Sequence, residues 1–141
     1  MADPYDLERF VTAQERAFDA AVRELAAGQK RSHWMWFVFP QLRGLGSSPL
    51  AERYGIGSLD EARAYLAHPL LGARLRQCTQ LVNEIEGRHA ETIFGYPDHL
   101  KFRSCMTLFE QAAQADAAVF SRALQRYFAG EGDPLTHRML T

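Results

Sequence analysis

Leu71, Leu75, Cys78, Val82 and Ile85 recur at alternating spacings of four and three, the period that places apolar side chains on one face of an α-helix, with Gly87 as the stop. Leu7, Phe10, Val11, Phe18, Ala21, Val22 and Leu25 share a face in the same way, so a helix opened by Asp3-Pro4 or Asp6 is expected to run until Gly28. Ser58-Leu59-Asp60-Glu61 reads as a capping box, in which the Ser hydroxyl and the Glu carboxylate satisfy amides that a helix start leaves open. The helix it opens carries Ala62, Tyr65 and Leu66 inward and breaks at His68-Pro69, and Pro69 fits the first position of the next helix. A short helix over 89–95 closes at Gly95, and Pro97-Asp98 opens another with Phe102, Cys105, Met106 and Phe109 on one side. Asp116 is placed to cap a helix that uses Phe120, Ala123, Leu124 and Tyr127 and stops at Gly130, and Asp133-Pro134 starts a last turn to Met139.

Periodicity does not decide His33-Trp34-Met35-Trp36-Phe37-Val38-Phe39-Pro40-Gln41, because Trp34 to Phe39 is apolar throughout. No second convincing strand exists for it to pair with, and an isolated strand would leave its backbone groups unpaired. The run is therefore expected to be a helix of about two turns ended near Pro40. Residues 42–57 read as a loop around a short helix ending at Tyr54-Gly55. The fold class is all-α, a single compact multihelical domain over 1–141 with about six to eight helices, since no repeat, low-complexity segment or linker interrupts the chain.

Length agrees with one domain, because 141 residues suffice to bury roughly 68–70% of the unfolded surface in one core. Sixteen basic against seventeen acidic side chains give a net charge of −1, which makes nucleic acid an unlikely partner. The longest apolar run is far below the roughly 20 residues of a membrane span, so no membrane association is expected. The acidic start, Met1-Ala2-Asp3-Pro4-Tyr5-Asp6, lacks an apolar signal core, and the expected location is the cytoplasm. Cys78 and Cys105 fall on apolar helix stripes and read as core.

Five histidines, at 33, 68, 89, 99 and 137, show no metal-ligand spacing beyond Glu86-Gly87-Arg88-His89. That Glu-x-x-His is half of a di-iron motif, without its second copy and with a helix-ending Gly inside it, so neither metal nor cofactor is expected. No Gly-x-Ser-x-Gly elbow is present, and Gly44-Leu45-Gly46 lacks the Gly-Lys-Ser/Thr of a phosphate loop. What remains is the aromatic run and its polar edges. His33 is the nearby group able to exchange a proton near neutral pH and is the candidate catalytic residue. Trp36, three positions on and on the same helical face, would be a stacking wall for a flat ring. Gln41 would orient a ligand, and Lys30, Arg43 and Lys101 would meet phosphate or carboxylate. The expected partner is a small molecule, nucleotide-like or anionic. The alternative is a non-catalytic helical interaction module, in which the run is plain core and a protein partner docks on an apolar surface patch.

The motifs also resemble a known family. They are Phe10-x-x-Ala13-Gln14, Gly28-x-Lys30-x-x-His33-Trp34-Met35-Trp36-Phe37-Val38-Phe39-Pro40-Gln41, Gly44-Leu45-Gly46-x-Ser48, Tyr54-x-Ile56, Glu61-Ala62-x-x-Tyr65-Leu66-x-His68-Pro69-x-Leu71-Gly72, Ile93-Phe94-Gly95-x-x-Asp98 and Lys101-x-x-Ser104-x-Met106-Thr107-Leu108-Phe109. The chain is similar, from about residue 5 to its C-terminus, to the family catalogued as domain of unknown function 1810, some members of which are misnamed "calpastatin". The resemblance implies a mainly helical, single-domain fold of the mycobacterial hypothetical-protein type and carries no established activity. It draws attention to Lys30, His33, Gln41, Asp98, Lys101 and Ser104 as polar members of its motifs, Asp98 with an N-cap role open to it and Ser104 either a further ligand contact or a hydroxyl bonded within its own helix. Where the family more usually has Ser-Ser-Met-Thr, this chain has Ser104-Cys105-Met106-Thr107.

Overall fold

The computed structural model describes residues 2–141. Among them are ten α-helices, seven of which have seven or more residues, and no strand: α1 (Glu8–Glu15), α2 (Phe18–Ala26), α3 (Met35–Val38), α4 (Pro49–Arg53), α5 (Leu59–Ala67), α6 (Leu71–Asn83), α7 (Ala90–Phe94), α8 (Asp98–Ala113), α9 (Ala118–Phe128) and α10 (Pro134–Leu140). The seven longer helices agree with the six to eight expected, and the three short ones, α3, α4 and α7, fall where short helices were expected. The fold is all-α. Helix α8 is its axis: it packs on α5, α7, α9 and α10, and α6 packs against α2, α5 and α9. Phe10, Trp34, Phe39, Tyr65, Phe102, Phe109 and Phe120 are fully buried in one shared core. No described helix is long and apolar enough to cross a membrane.

The single helix expected up to Gly28 is two, because the chain breaks at Arg16-Ala17 between α1 and α2. Asp3 does serve its start, since its carboxylate accepts the N–H groups of Leu7 (2.8 Å) and Glu8 (3.1 Å). Ser58 caps α5 by accepting the Glu61 N–H at 3.1 Å, but the reciprocal half of the capping box is absent. The Glu61 carboxylate accepts the Gly57 N–H at 3.0 Å and pairs with Arg9 at 2.8 Å instead. Pro69 lies outside α6, whose open amides are met by His68 Nδ1, the acceptor for Leu70 and Leu71 N–H at 3.2 Å each. Asp116 caps nothing with its side chain; its carbonyl accepts from Arg76. Asp133 does cap α10, accepting the Thr136 N–H at 2.9 Å.

Where two turns were expected in the aromatic run, one turn forms. Phe39 precedes Pro40, whose ring disfavours helical geometry in the residue before it, and Phe39 leaves the helix at φ −124°, ψ 72°. A one-turn helix has open carbonyls, and Gln14 of α1 reaches across to donate its amide to the Phe37 carbonyl at 2.7 Å. Beyond Pro40 the chain is held by a parallel bridge between Leu42 and Ile56, with the Ile56 N–H on the Gln41 carbonyl (2.9 Å) and the Arg43 N–H on the Ile56 carbonyl (2.8 Å). Gly55 is required there, since a Cβ on it would sit 2.7 Å from the Arg43 Cα.

Candidate functional site

Three anchors build the site. The first is Glu24 of α2, whose carboxylate accepts the N–H groups of Arg31 (2.7 Å) and Ser32 (2.8 Å), the Ser32 hydroxyl (2.6 Å) and the Trp34 indole N–H (2.9 Å). Burial alone would raise the Glu24 carboxyl, but the donors from Ser32, Arg31 and Trp34 outweigh it and hold the group down at about 2. Trp34 is thereby fixed in the core, fully buried, with its polar handle satisfied.

The second anchor is Phe102 on α8, which stacks on Phe94 at 4.6 Å between ring centres and meets Phe39 edge-on at 5.1 Å. This packing sets the rotation of α8, so that Asp98 and Lys101 in its first turn face the aromatic run. The third anchor is the Leu42–Ile56 bridge, which fixes the backbone from which Gln41 projects.

Asp98 stands between two ammonium groups, with Lys30 Nζ at 2.9 Å and Lys101 Nζ at 3.4 Å. Each ammonium also lies over a tryptophan: Lys30 is 5.2 Å from the Trp34 ring centre and Lys101 is 4.9 Å from that of Trp36. The N-cap role open to Asp98 in the sequence is not taken, as α8 has no side-chain cap; its carboxylate ties the segment after α2 to α8 instead. The two lysines differ in access. The Lys30 side chain is 8% exposed and that of Lys101 25%, so the second can meet a ligand and the first is enclosed.

Lys101 and Gln41 line two adjoining hollows. The inner recess is walled also by Met35, Trp36, Phe39 and Tyr54 and is narrow, with about 10 Å³ open to the centre of a water molecule. The outer hollow, about 260 Å³ by the same measure, is bounded by Leu45, Gly46, Leu100, Ser104, Asp133 and Leu135. Trp36 is half-buried, and the Gln41 amide makes no side-chain hydrogen bond with any described residue. Ser104 Oγ donates to the Leu100 carbonyl at 3.1 Å. Leu50, Leu100 and Leu135, all exposed, rim the two hollows.

Of the seven residues singled out from sequence, Trp36, Gln41, Lys101 and Ser104 line these adjoining hollows, and Lys30 joins them through Asp98. His33 is not among them. It precedes α3, so the helical facing that would have set it beside Trp36 does not arise, and it is exposed and lines neither hollow. Arg43 lies in a different hollow with Arg9, Glu52 and Glu61, where its guanidinium donates to the Glu52 (3.2 Å) and Gly55 (3.0 Å) carbonyls. That hollow offers little net charge, since Arg9, Arg43 and Arg53 are matched there by Asp6, Glu52 and Glu61. Arg9 is also held by the Tyr5, Asp6, Arg53 and Gly55 carbonyls and by Glu61. Glu24, Gln14 and Asp98 are the supports that the sequence reading missed or assigned another role. Asp98 followed by Lys101 one helical turn on was the available signal, whereas Lys30 comes from a distant segment and gave none.

Neither cysteine offers a reactive thiol: both are free and fully buried, burial pushes the Cys78 thiol up to about 12, and Cys105 is also well raised by burial. No group of three His, Cys, Asp or Glu side chains among the described residues could hold a metal ion.

Comparison with known proteins places the chain among relatives without an assigned activity. No curated protein sequence matches it. Its fold is similar to that of the crystal structure of the conserved hypothetical protein Rv1873 from Mycobacterium tuberculosis, with 59% identity, 98% of each chain covered and a TM-score of 0.96. The model of the family described as "Protein of unknown function (DUF1810)" matches residues 4–140, and the chain belongs to that family.

Proposed function

We propose that the protein binds a small anionic molecule in the cleft between the aromatic run and the first turn of α8, with Lys101 as the charge contact, Gln41 as the orienting group and Trp36 as the apolar wall. The observation that carries this reading is the pair of side chains shared by both hollows. An accessible ammonium and an amide without an internal hydrogen-bond partner stand together between a narrow aromatic recess and a wider leucine-rimmed hollow. Few convergent polar groups in an otherwise apolar concavity are the usual composition of a ligand site. Asp98 and Lys30 act behind Lys101, holding its ammonium over Trp36. The reading is of binding and assigns no proton carrier, since His33 lies outside the cleft.

The test is a thermal-shift screen of nucleotides, sugar phosphates and carboxylates against the wild type, Lys101→Met and His33→Ala. A ligand that binds only the folded state raises apparent stability. Stabilisation lost in Lys101→Met and kept in His33→Ala is the expected result; stabilisation that survives Lys101→Met counts against the cleft. A second reading, an interaction module, draws on the exposed Leu50, Leu100, Leu135 and Met139. It predicts silence throughout that screen and association through this leucine-rimmed face.

A further inference from the structure

The charges around the cleft narrow the chemical class of its ligand, an inference that rests on the binding role proposed above. At the inner end, two ammonium groups, Lys30 and Lys101, face one carboxylate, Asp98, and leave a single net positive charge. Lys30 is enclosed, so only Lys101 presents that charge, and its ammonium is already paired with Asp98 at 3.4 Å. Gln41 supplies an amide beside it. An ammonium and an amide together match the two oxygens of one carboxylate.

The outer hollow, which Lys101 also borders, adds a carboxylate that balances that single charge. Asp133, whose Oδ2 caps α10 through the Thr136 N–H and hydroxyl, borders it, while Leu45, Leu100 and Leu135 supply apolar wall. A polyanion entering from that side would meet the Asp133 carboxylate and then a lysine already shared with Asp98. An apolar body would cover leucine surface now exposed to water, at roughly 25 cal/mol per Å². The volume, about 260 Å³, falls below the roughly 300–1,000 Å³ of drug-sized pockets. We infer that the cleft is selective for a small monocarboxylate with an apolar or aromatic body, its carboxylate between Lys101 and Gln41 and its body over Leu100 and Leu135, and that Asp133 excludes nucleoside polyphosphates.

Calorimetric titration of the full chain with phenylacetate, hexanoate, phenylacetamide, acetate, AMP and ADP tests this, on wild type, Lys101→Met, Gln41→Ala and Asp133→Asn, each first shown to melt cooperatively. Asn retains capping ability, so Asp133→Asn removes charge with little loss of the cap. The two apolar acids should bind, with acetate and phenylacetamide at least tenfold weaker. Lys101→Met should lose at least tenfold for the acids, and Asp133→Asn should strengthen ADP binding several-fold. Phenylacetamide binding as tightly as phenylacetate, or ADP binding more tightly than either acid through Lys101, overturns the carboxylate class while the cleft stands. Absence of binding by every probe, or binding indifferent to both Lys101→Met and Gln41→Ala, overturns the class and the cleft together.

Discussion

Lys30 and Lys101 reach the same carboxylate from segments far apart in sequence, each over a tryptophan ring, and only the second is open to solvent. Glu24 does the corresponding task behind Trp34, collecting four donors. Replacing Glu24 by Gln removes the charge and sets an amide N–H against those donors. It should cost about 1–3 kcal/mol in urea denaturation at pH 7, whereas His33→Ala, at an exposed position, should stay within about 0.5 kcal/mol. A Glu24→Gln protein as stable as the wild type would mean the anchor is dispensable. Trp36, Gln41, Lys101 and Ser104 could be singled out from sequence as polar and aromatic types without an evident core role, but the same reasoning also chose His33 and Arg43, which lie elsewhere. The supports of the site were not legible. Glu24 finds Trp34 ten positions away and Gln14 finds Phe37 twenty-three away, separations fixed by how helices pack and not by any local spacing.

At the scale of the element, stripes at a 3.6-residue period located the long helices, and Gly95, Gly130 and Asp133-Pro134 located ends. What failed was the length of the apolar run and the continuity of the first helix, both decided by neighbours: Pro40 ends α3 after one turn, and the chain turns at Arg16-Ala17 where periodicity runs on. The α5–α6 corner shows how tightly neighbours constrain an element. A Cβ on Gly72 would lie 2.0 Å from the Leu66 carbonyl oxygen, a backbone atom that cannot swing aside. Gly72→Ala should therefore destabilise by about 3 kcal/mol or more, read as a fall in the urea midpoint with an unchanged slope. A midpoint within error of the wild type would contradict the close approach of these helices.

For the whole molecule, the consequence is a dependence on acid. The Glu24 carboxyl is held at about 2, and Asp3 is lowered by the Leu7 and Glu8 N–H groups. A carboxyl depressed by folding stabilises the native state above its unfolded value, about 4.3 for Glu, and that stabilisation is lost as pH falls through the folded value. Stability should thus decline between about pH 5 and 2, and the decline should be shallower in Glu24→Gln, measured by thermal melts across that range. Parallel pH curves for the two proteins would remove Glu24 from the explanation.

The position of the cleft within this molecule can be read from one ¹H–¹⁵N spectrum, because the two indole N–H groups report on different places. Trp34 donates to Glu24 inside the core, and Trp36 stands half-buried against Lys101. On addition of phenylacetate, the Trp36 indole and the Gln41 side-chain amide should shift together in a saturable way while the Trp34 indole stays in place. Saturable shifts confined to the hollow around Arg9 and Arg43, with Trp36 and Gln41 unmoved, would contradict a binding cleft at the start of α8.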